Sequence, residues 1–281
     1  MYHSAPFWSE VAHTWKDKQF GLFLGRDNTT LDRLTAQPIE RAGQLTLGGV
    51  DETLFQGELN YVDIIPTTTY QLPSAGNNGS MPGVSGGSRG TTKRAVFWAV
   101  GMDGISVNDV PVDMGSYEMN SIAVLDSGTT AIYGPPAAVR SFYSGFGTAF
   151  YAGSNLWAFR CDEVENYRTT ISFGGQAYSL EPSDLIMASA QGTGKYEGYC
   201  FGSVMQFDQA DSYWLIGDAF LTNVYTAYRL DPPSVGFAQL ADEVNWKYKG
   251  GFGVFSAASA TAAQMVSVIG AVFAGVFAAL L

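Results

Sequence analysis

Short apolar runs, each cut after a few residues by Gly, Asp, Asn or Pro, recur from Phe20 to Ala238 and most limit what this chain can fold into. Runs of this kind suit strands and are too short for the helices of an all-α core. Residues 20–24, 43–48, 59–65, 95–100, 122–125, 171–180, 213–216, 224–230 and 235–238 read as strands, being alternating or rich in β-branched and aromatic side chains. Thirty-three Gly and an aromatic share of 14% agree with an all-β domain, and 46% hydrophobic residues in 281 are enough for a sizeable core. One helix is predicted from Pro135-Pro136 to about Tyr143, since Pro is tolerated in the first helical turn. Residues 70–94, rich in Pro, Gly, Ser and Asn, predict an exposed loop, and its closing Lys93-Arg94 reads as a solvated pair. No short-period repeat suggests a solenoid or propeller.

A net charge of −11 disfavours nucleic acid or an anionic membrane surface as a partner. The two cysteines, Cys161 and Cys200, lie far along the chain from the two histidines, His3 and His13. The usual four-ligand zinc site is therefore not available, and no metal or other cofactor is expected. In an oxidising compartment the cysteines would pair; in a reducing one they would be two buried thiols. Histidine-assisted serine or cysteine hydrolysis is disfavoured, and no Gly-Lys-Ser/Thr phosphate loop is present. Carboxylate chemistry remains.

The two ends differ. Residues 1–19 have no basic start followed by an apolar stretch, so no secretory signal is expected there. Residues 257–281 carry no charge, and 265–281 are almost purely apolar. Three readings of this tail are open: a lipid-anchor signal, a transmembrane helix, or a core helix apolar on every side. The anchor signal fits best, because small residues at Gly250-Gly251 or Ser256-Ala257-Ala258 precede the run and no charges follow it. A membrane is then a partner through the tail. Two N-x-S/T sequons, at Asn28 and Asn78, agree with a glycosylated protein of the secretory pathway, at the cell surface or outside it. An export-type tail without an export-type start carries the expectation that something upstream is missing.

The segment with most chemical content is Ile122-Ala123-Val124-Leu125-Asp126-Ser127-Gly128-Thr129-Thr130. An apolar strand delivers an acid onto a tight turn, where Gly128 permits close approach and hydroxyls ring the carboxylate. Hydrogen bonds of that kind favour the charged form. The plain alternative is a strand-to-turn Asp with Ser and Thr as turn residues; the longer context favours the first reading.

That context is as follows. Val124-Leu125-Asp126-Ser127-Gly128-Thr129-Thr130 resembles the second catalytic motif of pepsin-like aspartic proteases, in which hydrophobic residues precede Asp-Thr/Ser-Gly-Thr/Ser. Trp214-Leu215-Ile216-Gly217-Asp218-Ala219-Phe220-Leu221 resembles the element ending in Gly, here Gly217, that crosses behind the catalytic loop. Gly43-Gln44-Leu45-Thr46-Leu47-Gly48-Gly49-Val50-Asp51 resembles the glycine-rich strand pair near the junction of the two lobes, and Val235-Gly236-Phe237-Ala238 the terminal strand. The resemblance implies an all-β fold, the C-terminal lobe of the bilobal pepsin-like architecture, with a few short helices and an apolar C-terminal helix. It also implies a disulfide between Cys161 and Cys200, and a fungal-type chain with a C-terminal anchor.

By the same resemblance Asp126 is one of two catalytic carboxylates, which share a proton because both cannot easily ionise together. Ser127 braces one catalytic loop against the other, Gly128 and Thr129 offer groups to the carboxylate or substrate, and Thr130 lines the site. Asp218 is expected to start a helix rather than to act as the second acid. No second Asp-Thr/Ser-Gly occurs in the sequence, and the likeness begins at about the lobe junction. The expected organisation is an inter-lobe segment at 1–19, the lobe at 20–241, and a linker with anchor signal at 242–281. The function implied is peptide-bond hydrolysis, with the partner acid on a missing N-terminal lobe. The alternatives are a homodimer pairing two copies of Asp126, and an inactive half-cleft that binds peptides.

Overall fold

A computed structural model describes residues 10–25, 43–65, 97–115, 121–189, 194–207, 213–242 and 244. The expected 70–94 loop, the sequons at Asn28 and Asn78, and the apolar tail lie outside the described residues. Among the described residues no helix is long and apolar enough to cross a membrane.

Eighteen strands and two short α-helices make up most of the described chain, with a few 3-10 turns. The first sheet runs β2-β1-β17-β18-β3, built from Gln19–Leu24 (β1), Gly43–Leu47 (β2), Phe55–Asp63 (β3), Val224–Leu230 (β17) and Pro233–Leu240 (β18), all antiparallel. Alternation sorts its side chains onto two faces. Phe20, Val224, Tyr228, Val235 and Phe237 enter the main core, whereas Phe23, Tyr225, Ala227 and Leu240 close over Leu54 on the other side.

The second sheet has the order β15-β8-β16-β7-β4: Val204–Gln206 (β15), Ile132–Gly134 (β8), Trp214–Ile216 (β16), Ile122–Leu125 (β7) and Ala99–Gly101 (β4). β7 and β8, neighbours in sequence, are held apart because β16 lies between them, parallel to β7 and antiparallel to β8. Trp214 and Ile216 of β16 are fully buried. Helix α1 (Pro136–Ser144) follows β8 and buries Ala138, Val139, Phe142 and Tyr143, the stripe of a half-buried helix.

Two four-stranded sheets complete the core. One orders β12-β11-β5-β6, from Gly104–Val107 (β5), Val110–Pro111 (β6), Thr169–Phe173 (β11) and Gln176–Leu180 (β12). The other orders β13-β14-β10-β9, from Phe150–Gly153 (β9), Leu156–Arg160 (β10), Ile186–Ser189 (β13) and Tyr199–Gly202 (β14). A Cys161–Cys200 disulfide, with Cα atoms 5.0 Å apart, fastens the end of β10 to β14.

Several expected strands differ in extent. Residues 171–180, read as one strand, form a hairpin that turns at Gly174 and Gly175, with φ of 56° and 79°. Both values lie in the left-handed region that a two-residue hairpin turn requires and that Gly adopts without steric cost. The strand expected at 59–65 starts earlier, at Phe55. β5, β6, β8, β9, β10, β13, β14 and β15 have no counterpart among the strands expected from sequence. The few short helices and the β-rich core match the expectation for a pepsin-like lobe.

Candidate active site

β7 is buried at all four positions. Ala123 and Leu125 point into the main core, and Ile122 and Val124 into an outer cluster with Ala99, Tyr213 and Leu215. A strand anchored on both faces fixes where Asp126 emerges. The Leu125 amide donates to the Trp98 carbonyl at 3.0 Å, and the Asp126 amide to the Ile216 carbonyl at 3.0 Å.

The chain then turns sharply, the Thr129 amide donating to the Asp126 carbonyl at 3.1 Å. This turn serves the carboxylate from both sides. The Gly128 amide donates to Oδ1 at 2.9 Å, and the Thr129 hydroxyl to Oδ2 at 2.6 Å. Each carboxylate oxygen thus has one fixed donor and spare acceptor capacity. Asp126 and Thr129 are half-buried, while Ser127, Gly128 and Thr130 are exposed. The acid stands at a surface rim. Bonds to an ionised acceptor contribute about 1.5–3 kcal/mol each. Thr129→Val, which keeps the volume and removes the hydroxyl, should therefore lower unfolding free energy at neutral pH by about 1–2 kcal/mol, given partial solvent screening. Paired denaturant titrations measure this.

The loop is clasped from behind where β16 ends. A Cβ placed on Gly217 would lie 2.1 Å from the Thr129 carbonyl oxygen and 2.4 Å from that of Ala131. Helix α2 (Asp218–Leu221) starts directly after it. The Asp218 amide donates to the Thr129 carbonyl at 2.7 Å, and the Ala219 amide to the Thr130 carbonyl at 2.9 Å. As expected from sequence, Asp218 is the first residue of a helix. Its carboxyl is raised from 3.8 to about 6, by burial first and by the charge of Asp126 second. Tyr213 is raised by burial and, to a lesser degree, by Asp126.

Asp126, Ser127, Gly128, Thr129, Thr130 and Gly217 thus come together at one loop and its clasp, whereas Cys161 and Cys200 join two strands of a different sheet. Sequence reading did not single out the aromatic wall on the outer face of the β7–β16–β8 layer. Tyr133 packs on Phe207, with centroids 5.5 Å apart, and Phe207 on Tyr213 at 5.6 Å. Leu215 joins both outer clusters. The two-residue period of Tyr213-Trp214-Leu215-Ile216 carried part of that signal: alternate residues must face out. A shallow recess of about 430 Å³ at Glu58, Asn60, Tyr61 and Gly175 lies elsewhere, at β3 and the β11–β12 turn. The carboxylate is the chemically significant feature, and it stands at a surface rim away from that recess.

This arrangement can hold a carboxylate at a solvent boundary, beside an apolar wall, with acceptor capacity to spare. Residues 32–240 match the family model described as eukaryotic aspartyl protease. Major aspartyl peptidase 1 of Cryptococcus neoformans var. grubii is 26% identical over 253 residues, covering 84% of this chain and 44% of the relative. An aspartic protease of Phaffia rhodozyma is 25% identical, covering 83% of this chain and 49% of the relative. Cathepsin D of Clupea harengus is 28% identical, covering 78% and 46%. The chain spans about half the length of the curated relatives it matches. On the family match, which covers most of its length, the chain belongs to the eukaryotic aspartyl protease family.

Proposed function

We propose that this chain supplies one of the two carboxylates of an acid-pair endopeptidase, with Asp126 as that carboxylate. The observation that carries the reading is the Asp126 loop, bonded at both carboxylate oxygens and clasped by Gly217. In the reaction the ionised member of the pair takes a proton from water, whose oxygen attacks the peptide carbonyl carbon. The protonated member donates to the carbonyl oxygen, and the tetrahedral intermediate collapses with protonation of the leaving nitrogen. Gly128 and Thr129 hold the Asp126 carboxylate; Ser127 and Thr130, both exposed, face a second lobe and the substrate.

The partner acid lies outside these 281 residues, on an N-terminal lobe carrying the other Asp-Thr/Ser-Gly. The lobe boundaries at 20 and 241, and an inter-lobe role for residues 1–19, belong to this proposal. Substrates are peptides with apolar side chains, in keeping with the wall of Tyr213, Leu215 and Phe207. The disulfide supports a place in the secretory pathway, and the uncharged tail at 257–281 supports a lipid anchor at the cell surface.

The test is cleavage of an internally quenched apolar peptide at acid pH, by the purified chain over a range of concentrations and by the chain fused to a lobe bearing the second motif. The expected result is no cleavage by the chain alone and cleavage by the fusion, blocked by a statine-type inhibitor. Cleavage by the chain alone that rises with the square of its concentration would replace the missing-lobe reading with a homodimer. Peptide binding without cleavage in either form would leave a binding module.

A further inference from the structure

Two main-chain carbonyls accept from the residues at which β7 ends and the acid emerges. The Ile216 carbonyl, at the clasp, takes the Asp126 amide, and the Trp98 carbonyl takes the Leu125 amide, each at 3.0 Å. Trp98 stands one residue before β4, whose ladder with β7 pairs Ala99 with Val124 and Val100 with Ala123. Its bond is thus the last on that side before Asp126, at the end where the strand stops. The Trp98 side chain is half-buried and packs against the main core. It meets two rings edge-on: Tyr228, with centroids 4.9 Å apart and planes at 67°, and Phe20, at 5.8 Å and 82°. Phe20 on β1 and Tyr228 on β17 are both buried, lie opposite each other in the first sheet, and stack with centroids 4.8 Å apart. Edge-to-face contact is an arrangement that ring quadrupoles favour, and two such contacts on one indole leave it little choice of rotamer.

We propose that Trp98 is a positioning residue for Asp126: the Phe20–Tyr228 pair fixes its ring, the ring fixes its carbonyl, and the carbonyl fixes the strand end that carries the acid. The first sheet thereby sets the place of a carboxylate that belongs to the second. The proposal rests on the assignment of Asp126 made above. Displacing a positioned group by about 1 Å can cost about a hundredfold in rate, so a small shift of this strand end matters. The plain alternative is that Trp98 only fills the core. Its loss would then weaken the whole fold and no one bond in particular.

The experiment is site-resolved amide hydrogen exchange on the full chain, for wild type, Trp98→Leu, Trp98→Phe, Phe20→Leu and the double variant Trp98→Leu with Phe20→Leu. In Trp98→Leu the Leu125 amide should lose at least about tenfold in protection relative to Ala123, two residues back on the same ladder. Trp98→Phe, which keeps a ring, should restore most of that ratio. Phe20→Leu, which leaves Trp98 in place, should lower the ratio as well, and the double variant should lower it no further than Trp98→Leu alone.

Equal acceleration at Leu125 and Ala123 in Trp98→Leu would show core filling alone and overturn the proposal. So would a Phe20→Leu chain whose Leu125 protection is unchanged relative to Ala123, and this variant decides if Trp98→Leu does not fold. In the chain joined to a lobe bearing the second motif, Trp98→Leu should lower kcat about ten- to a hundredfold with KM within about twofold. An unchanged kcat would overturn the proposal too. A joined protein without any activity would count against the protease reading alone, since exchange at Leu125 is measured without hydrolysis.

Discussion

Gly217→Ala should destabilise the folded chain by more than about 4 kcal/mol, or prevent folding altogether. The added methyl meets two main-chain carbonyl oxygens, at 2.1 and 2.4 Å, and neither can rotate away as a side chain can. Relief requires the 126–131 loop to separate from the end of β16. That separation removes the bonds from the Asp218, Ala219 and Asp126 amides across the junction, at 2.7, 2.9 and 3.0 Å. Gly128→Ala is the control: the nearest atom to its Cβ is the Asp126 Oδ1 at 3.2 Å, a contact that small adjustments relieve. It should cost about 1 kcal/mol or less. Urea denaturation of both variants distinguishes a clasp from a loop that merely contains glycines. Equal effects would show that close packing at Gly217 is not what fixes the Asp126 loop.

Removing the disulfide should be the next largest effect. Cys161 and Cys200 are 39 residues apart in sequence, and a loop of that length corresponds to about 3–4 kcal/mol of constraint on the unfolded chain. The native state needs the bond less, since β10 and β14 pair through Phe159 and Cys200 without it. Cys161→Ala with Cys200→Ala should therefore lower the denaturant midpoint strongly and leave the far-UV spectrum nearly unchanged. A loss below about 1 kcal/mol would mean that the unfolded chain is already compact around these residues.

How far the sequence reveals this molecule depends on whether local chemistry or distant contact fixes a given element. β7 and its acid were legible because four apolar residues lead directly into turn-forming Ser, Gly and Thr. β17 was legible along its whole length, Val224–Leu230, and α1 to within one residue, because Pro136 fixes its start. β8 and β15, of three residues each, are too short to show any periodicity. β10 is a short, mostly apolar run, and periodicity alone does not tell such a strand from a buried helix segment. The hairpin at Gly174-Gly175 was hidden by strand-like residues on both sides.

The site divides in the same way. The Asp126 loop is contiguous in sequence and its donors lie within three residues, so it could be read directly. The wall of Tyr133, Phe207 and Tyr213 exists only because β16 inserts between strands that precede it by roughly eighty to ninety residues. Asp218 shows the limit most clearly. Sequence identifies it as a helix start, which it is, but its buried oxygen and its exposure to the Asp126 charge arise from tertiary crossing alone.

The central claim, that Asp126 is a proton-transferring carboxylate of an acid pair, is tested most directly by Asp126→Asn in the chain joined to a lobe bearing the second Asp-Thr/Ser-Gly. The rate of peptide cleavage at acid pH should fall by at least about 10²–10⁴-fold, with the melting temperature little changed. Cleavage at the wild-type rate by a folded Asp126→Asn protein would contradict the account.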